Sequence, residues 1–172
     1  MPEALHTDST TSSQMDPASP ADTKATNQTA TLAANQISND CIGFRLRLLD
    51  RITTRIFNQE LQPLGIRHTQ LILLVALQKL GQTTPVRLGE WLSIEKSTLS
   101  RNLKLLRGLE LIAGAVPENP QSSVIKITDK GAGLLGRALP MWENAQRKTS
   151  ELFGADADLQ IRKIVRHYWQ LR

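Results

Sequence analysis

The 172-residue sequence predicts a mainly α-helical fold with one small β-hairpin, in the order α-α-β-α-α-β-β-α-α. Three observations carry this. Helical periodicity runs through most of residues 37–172. Between 111 and 127 the period changes, and two short apolar stretches flank PENPQSS at 117–123, whose prolines, Asn and serines mark a loop. The segment IEKSTLSRNLKLLRGLEL at 94–111 places Leu99, Leu103 and Leu106 at i, i+4 and i+7, one apolar stripe of a helix.

Residues 1–36 are rich in Thr, Ser, Ala, Asp and Pro and poor in large apolar side chains. They bury too little surface to offset chain entropy and are expected to be a disordered tail. A long first helix is expected over 37–62, with Ser38 as N-cap and Ile37 and Ile42 at the hydrophobic-staple spacing. Pro63 and Gly65 end it. Residues 68–80 make a second helix, apolar nearly all round, closed by Gly81. A short extended piece at 83–87 precedes a brief helix at 88–92 and a turn at 93–95. The 94–107 helix follows, with Gly108 as its expected C′ residue. Strands are expected at 111–116 and 124–127. Thr128 caps the next helix, with Asp129 in its first turn, and Pro140 bends or interrupts it before Gly154. The last helix, 155–171, has Leu159, Ile161, Ile164, Val165, Tyr168 and Trp169 as its apolar set.

Charge divides the chain. Residues 1–36 hold four acids against Lys24, a net of −3, whereas residues 37–172 hold 20 Lys and Arg against 12 Asp and Glu, a net of +8. The folded part is therefore more basic than the whole-chain +5 indicates, which suits an anionic partner. The longest apolar run, 71–77, is far short of the roughly 20 residues of a membrane span, and no secretory signal precedes it. The single Cys41 excludes an internal disulfide framework, and a cytoplasmic protein without membrane partners is expected. His6, His68 and His167 have no metal-ligand or nucleophile spacing, and there is no Gly-rich phosphate loop. The reading is a non-enzyme without cofactor or metal.

On the 94–107 helix, Lys96, Ser97, Ser100, Arg101 and Lys104 lie off the apolar stripe, and no acidic residue occurs from 96 to 108. Small hydroxyls followed by cations suit a helix that enters a DNA major groove. An ordinary amphipathic helix with a solvated basic face has the same local pattern. The hairpin behind it and the short helix before it favour a winged helix-turn-helix.

Three segments resemble the MarR family of winged-helix transcription regulators: PLGIRHTQLILLVAL at 63–77, LGEWLSIEKSTLSRNLKLLRGLELI at 88–112, and IKITDKG at 125–131. The resemblance spans about 41–171. It implies a winged DNA-binding part at 66–128 and a helical dimerisation part at 37–62 and 129–172. It further implies a homodimer straddling a pseudo-palindrome on double-stranded DNA, a repressor role, and release by a small aromatic or phenolic ligand. Ser97, Thr98, Ser100 and Arg101 match the family's Ser-Thr-x-Ser-Arg contacts, with Arg101 the candidate for a guanine and Lys96 and Lys104 for phosphates.

The chain departs from the family in two places. The wing tip carries Asn119, Gln121 and Ser122 where relatives have arginine, so its contacts are expected to be hydrogen bonds without a minor-groove cation. Ser93 stands where glycine is frequent in the turn, and a left-handed conformation there costs serine what glycine avoids.

Cys41, at N3 of the expected first helix with Arg45 at i+4, is a redox candidate. The alternative is an inert small apolar residue. A redox-switched regulator and a winged-helix module that binds protein instead of DNA are the competing functional readings.

Overall fold

The computed structural model describes residues 20–114 and 124–171. Its elements are α1 (Pro20–Asp40), α2 (Ile42–Leu61), a 3-10 turn (Gln62–Leu64), α3 (His68–Leu80), α4 (Pro85–Leu92), α5 (Lys96–Gly108), β1 (Ile112–Ala113), β2 (Lys126–Ile127), α6 (Asp129–Phe153) and α7 (Ala155–Gln170). A mainly α fold with a small wing is therefore observed. Two units divide within α2, between Arg47 and Leu48.

In the first unit, residues 20–36 are helical where a disordered tail was expected, and the expectation for residues 1–19 lies outside the described residues. A helix satisfies its backbone locally, and this one begins with Pro at its first position and is rich in Ala, so it forms although none of its side chains whose exposure is described is buried. The expected start at Ser38 is also corrected. Ser38 lies inside α1 and its hydroxyl donates to the Asn35 carbonyl at 3.0 Å. The break comes at Cys41, whose N–H still bonds the Ile37 carbonyl at 3.0 Å.

The second unit holds the core, from Phe57 to Ala145. α3 supplies Leu71, Leu73, Leu74, Ala76 and Leu77, which is why its sequence is apolar nearly all round. Fully burying each leucine contributes roughly 1.5–3 kcal/mol. The α2–α3 corner is fixed by polar bonds. The His68 N–H donates to Asn58 Oδ1 at 2.8 Å, and the Arg67 N–H to the buried Gln70 Oε1 at 2.9 Å. The His68 ring stacks on Phe57 with centroids 4.2 Å apart. Glu60 ties α2 to α6, accepting from Lys148 at 2.5 Å and Asn144 at 2.6 Å.

The extended piece at 83–87 shrinks to one residue. Thr83 pairs with Ile125 across an isolated antiparallel bridge, and α4 starts at Pro85. Thr84 is its N-cap, accepting from the Arg87 N–H at 3.2 Å, and Pro at N1 is preorganised for a helix. Among the described residues the wing strands pair Ile112 opposite Ile127 and Ala113 opposite Lys126, and residues 115–116 of the expected first strand lie outside them. α6 runs through Pro140 without interruption.

Gly131 explains the step out of the wing. A Cβ there would strike the Leu111 carbonyl oxygen and lie 2.7 Å from Ile127 Cγ1. Only glycine lets the first turn of α6 sit against the hairpin base. Thr128 completes the joint, accepting from the Gly131 N–H at 3.1 Å and donating to the Glu110 carbonyl at 2.8 Å.

Candidate nucleic-acid interface

α5 is held by its buried stripe. Leu99, Leu103 and Leu106 are in the core, as the i, i+4, i+7 spacing requires. Gly89 on α4 is buried, and a Cβ there would lie 3.1 Å from Leu99 Cδ2, so its absence permits the close approach of α4 and α5. The turn between them depends on Ser93 at φ 53°, ψ 41°. This is the left-handed conformation anticipated for the glycine-like position, and it costs a non-glycine residue roughly 1–2 kcal/mol. The Ser93 N–H bonds the Glu90 carbonyl at 3.2 Å and the Ile94 N–H the Gly89 carbonyl at 3.0 Å.

The opposite end corrects an expectation. Gly108 is the last helical residue, and the left-handed residue is Glu110 at φ 59°. Its N–H bonds the Arg107 carbonyl at 2.8 Å, and the Leu111 N–H bonds the Leu106 carbonyl at 3.0 Å, a Schellman end closed by two buried leucines. The glycine offered the conformation, but Leu111 must be buried, and that sets the register two residues later. The Glu110 side chain meets Lys130 at 2.7 Å, which holds its carboxyl below the usual carboxylate range.

With the stripe buried, Lys96, Ser97, Ser100, Arg101 and Lys104 are exposed and Thr98 is half-buried. Arg101 lies back along its helix, its Nε donating to the Ser97 carbonyl at 3.4 Å, and Asn102 donates to the Thr98 carbonyl at 2.9 Å. No salt bridge among the described residues engages Lys96, Arg101 or Lys104. No side chain caps the helix start at Glu95, so first-turn N–H groups stay open to an anion. Six of the expected DNA-facing residues thus share one solvated, acid-free helix. Asn119, Gln121 and Ser122 lie outside the described residues.

No family model and no curated protein matches the chain. Solved structures do. A cysteine-to-serine mutant of E. coli MarR complexed with operator DNA superposes with a TM-score of 0.65 at 19% identity, covering 77% of this chain and 96% of that one. The chain has the MarR fold. Bordetella bronchiseptica BpsR, solved for the regulation of its DNA binding by 6-hydroxynicotinic acid, gives a TM-score of 0.66 at 19% identity over 76% of this chain and 95% of its own. A probable transcriptional regulator from Pseudomonas aeruginosa gives 0.64 at 20% identity over 76% and 98%.

Two features of this MarR fold bear on the remaining sequence expectations. Cys41 is not at N3 of a free helix end. It stands between α1 and α2 with its N–H already bonded, and its Sγ accepts from the Phe44 N–H at 3.4 Å. The second feature had no sequence signal. Trp91 on α4 lies 6.1 Å from Trp169 on α7, and Tyr168 meets Trp169 edge-on at 5.7 Å. The Tyr168 hydroxyl is 3.3 Å from the Ser93 hydroxyl. The α4 side and the α7 side of these contacts are 75 or more positions apart, and no local pattern connects them.

Proposed function

We propose that the chain is a sequence-specific DNA-binding transcriptional regulator of the MarR type, acting as a homodimer on a pseudo-palindrome. The carrying observation is α5: an exposed, acid-free face of hydroxyls and cations on a helix whose opposite stripe is locked in a winged-helix core. Arg101 reads a guanine through O6 and N7, Ser97, Thr98 and Ser100 fit close to bases and phosphates, and Lys96 and Lys104 hold phosphates. The wing tip supplies hydrogen bonds from Asn119, Gln121 and Ser122. The paired α5 helices meet half-sites about 10 base pairs apart, one helical turn.

Support for the homodimer comes from α7. Leu159, Ile161, Ile164 and Val165 are all exposed, an apolar face that a second copy would cover. Among the described residues no helix is long and apolar enough to cross a membrane. The operator complex of E. coli MarR and the 6-hydroxynicotinic acid response of BpsR support the DNA target and a small aromatic effector that relieves repression.

The test is selection from a random duplex library, followed by binding at several salt concentrations. Wild type selects a two-fold symmetric consensus, and Arg101→Ala binds more weakly with one base preference relaxed. Identical consensus sequences for both proteins refute base reading by Arg101. Absence of salt-dependent duplex binding by wild type leaves the protein-interaction reading instead.

A further inference from the structure

We propose that Tyr168 and Trp169, at the end of α7, are positioning residues for the recognition helix. They brace the strained turn that sets its direction. The proposal rests on the DNA-binding reading above and names residues of that function outside the helix-turn-helix.

Among the described residues only two non-glycine residues have positive φ, Ser93 and Glu110, and they stand at the two ends of α5. Each left-handed residue is held from outside the helix-turn-helix. At the far end, α6 does this: Thr128 donates to the Glu110 carbonyl and Lys130 pairs with its carboxylate. At the near end the brace comes from α7, through the 3.3 Å contact of the Tyr168 and Ser93 hydroxyls. The tilted Trp91–Trp169 pair joins the α7 tip to α4, and within α7 Trp169 meets Tyr168 edge-on beside that hydroxyl. Tyr168 is 45% exposed and Trp169 42%, and neither belongs to the core cluster. Their effect is therefore expected on the turn and on α5, more than on global stability. Strained residues persist only where their surroundings over-determine them. Removing one restraint at Ser93 lets the turn relax, and the fraction of molecules with α5 aimed for the groove falls.

The experiment is a double-mutant cycle of Tyr168→Phe and Ser93→Gly in the full chain, read as affinity for the selected duplex at several salt concentrations. Tyr168→Phe removes one oxygen and is expected to weaken binding about threefold to tenfold, the range for one hydrogen bond. The salt slope stays unchanged, because no phosphate contact is lost. In the Ser93→Gly background the Ser93 hydroxyl and the strain are both gone, so the part of the loss that runs through Ser93 disappears and Tyr168→Phe weakens binding less than it does beside Ser93. An equal loss in both backgrounds, or no loss beside Ser93, overturns the proposal. If wild type binds no duplex, the DNA reading fails, and the brace is judged separately by amide exchange. Faster exchange of the Ser93 and Ile94 amides in Tyr168→Phe supports it, and unchanged exchange rejects it.

Discussion

Replacing Gly131 with alanine tests how α6 is set on the wing. The added Cβ would overlap the Leu111 carbonyl oxygen and come within 2.7 Å of Ile127 Cγ1. A backbone oxygen cannot swing aside as a side chain can. Relief requires α6 to move from the hairpin, which strains the 3.1 Å bond from the Thr128 N–H to that same carbonyl. Overpacking of this kind costs about 1–3 kcal/mol, and a weakened backbone bond about 0.5–1.5 more. Alanine's better helix propensity returns up to about 1 kcal/mol. The net expectation is a loss of about 0.5–4.5 kcal/mol, a fall in Tm of roughly 1–18 °C for a chain of this size. Two glycines in the same helix are internal controls. A Cβ at Gly136 meets nothing within 4 Å, and one at Gly133 only the Arg137 Nη1 at 4.0 Å. Alanine at either should stabilise by about 0.5–1 kcal/mol, the helix-interior propensity gain. Urea denaturation of the three variants decides the matter. Equal effects at 131, 133 and 136 would mean that the close approach at Gly131 constrains nothing.

Other predictions follow from the same geometry. Burial beside Phe57 pushes the His68 pKa below its usual value, against the opposing pull of Asp50. Its unfolded pKa is therefore the higher one, so this contribution is complete above about pH 6.5 and is lost as pH falls toward the folded value. Urea midpoints of wild type should drop between pH 7.5 and 5.5, by a smaller amount in His68→Phe. An equal drop in both proteins removes His68 as the cause. Lys104→Ala should weaken all duplexes alike and flatten the salt slope by about one unit, and an unchanged slope argues against a phosphate contact. Ile164→Glu puts a charge on the apolar face of α7 and should weaken self-association by about 100-fold or more, as seen by sedimentation. A variant that sediments as wild type would remove the role given to this face in self-association.

The fold was legible wherever a local pattern forces burial. The Leu99–Leu103–Leu106 stripe, the apolar α3 and the Thr128 cap were all read from spacing, and each is found in place. Boundaries were less legible where two local signals competed. Pro85 after Thr84 started α4 earlier than the apolar pattern did, and burial of Leu111 moved the end of α5 from Gly108 to Glu110. The helix over residues 20–36 was not legible because its sequence offers little surface to bury, whereas a helix needs none to satisfy its backbone. For the site, the basic hydroxyl face and the left-handed Ser93 were visible beforehand. What steadies Ser93 was not, because Tyr168 belongs to another helix and only the tertiary fold brings it near.

The aromatic contact between α4 and α7 also makes the molecule its own optical probe. The chain has three tryptophans. Trp91 and Trp169 form one coupled pair beside the turn, and Trp142 sits apart on α6. Coupled indoles respond together in near-ultraviolet circular dichroism to a change in their separation or tilt. Motion of the helix-turn-helix relative to the last helix can thus be followed with no attached dye, and Trp91→Phe isolates the signal. Binding of duplex or of a small effector that shifts α4 against α7 becomes visible in the native chromophores.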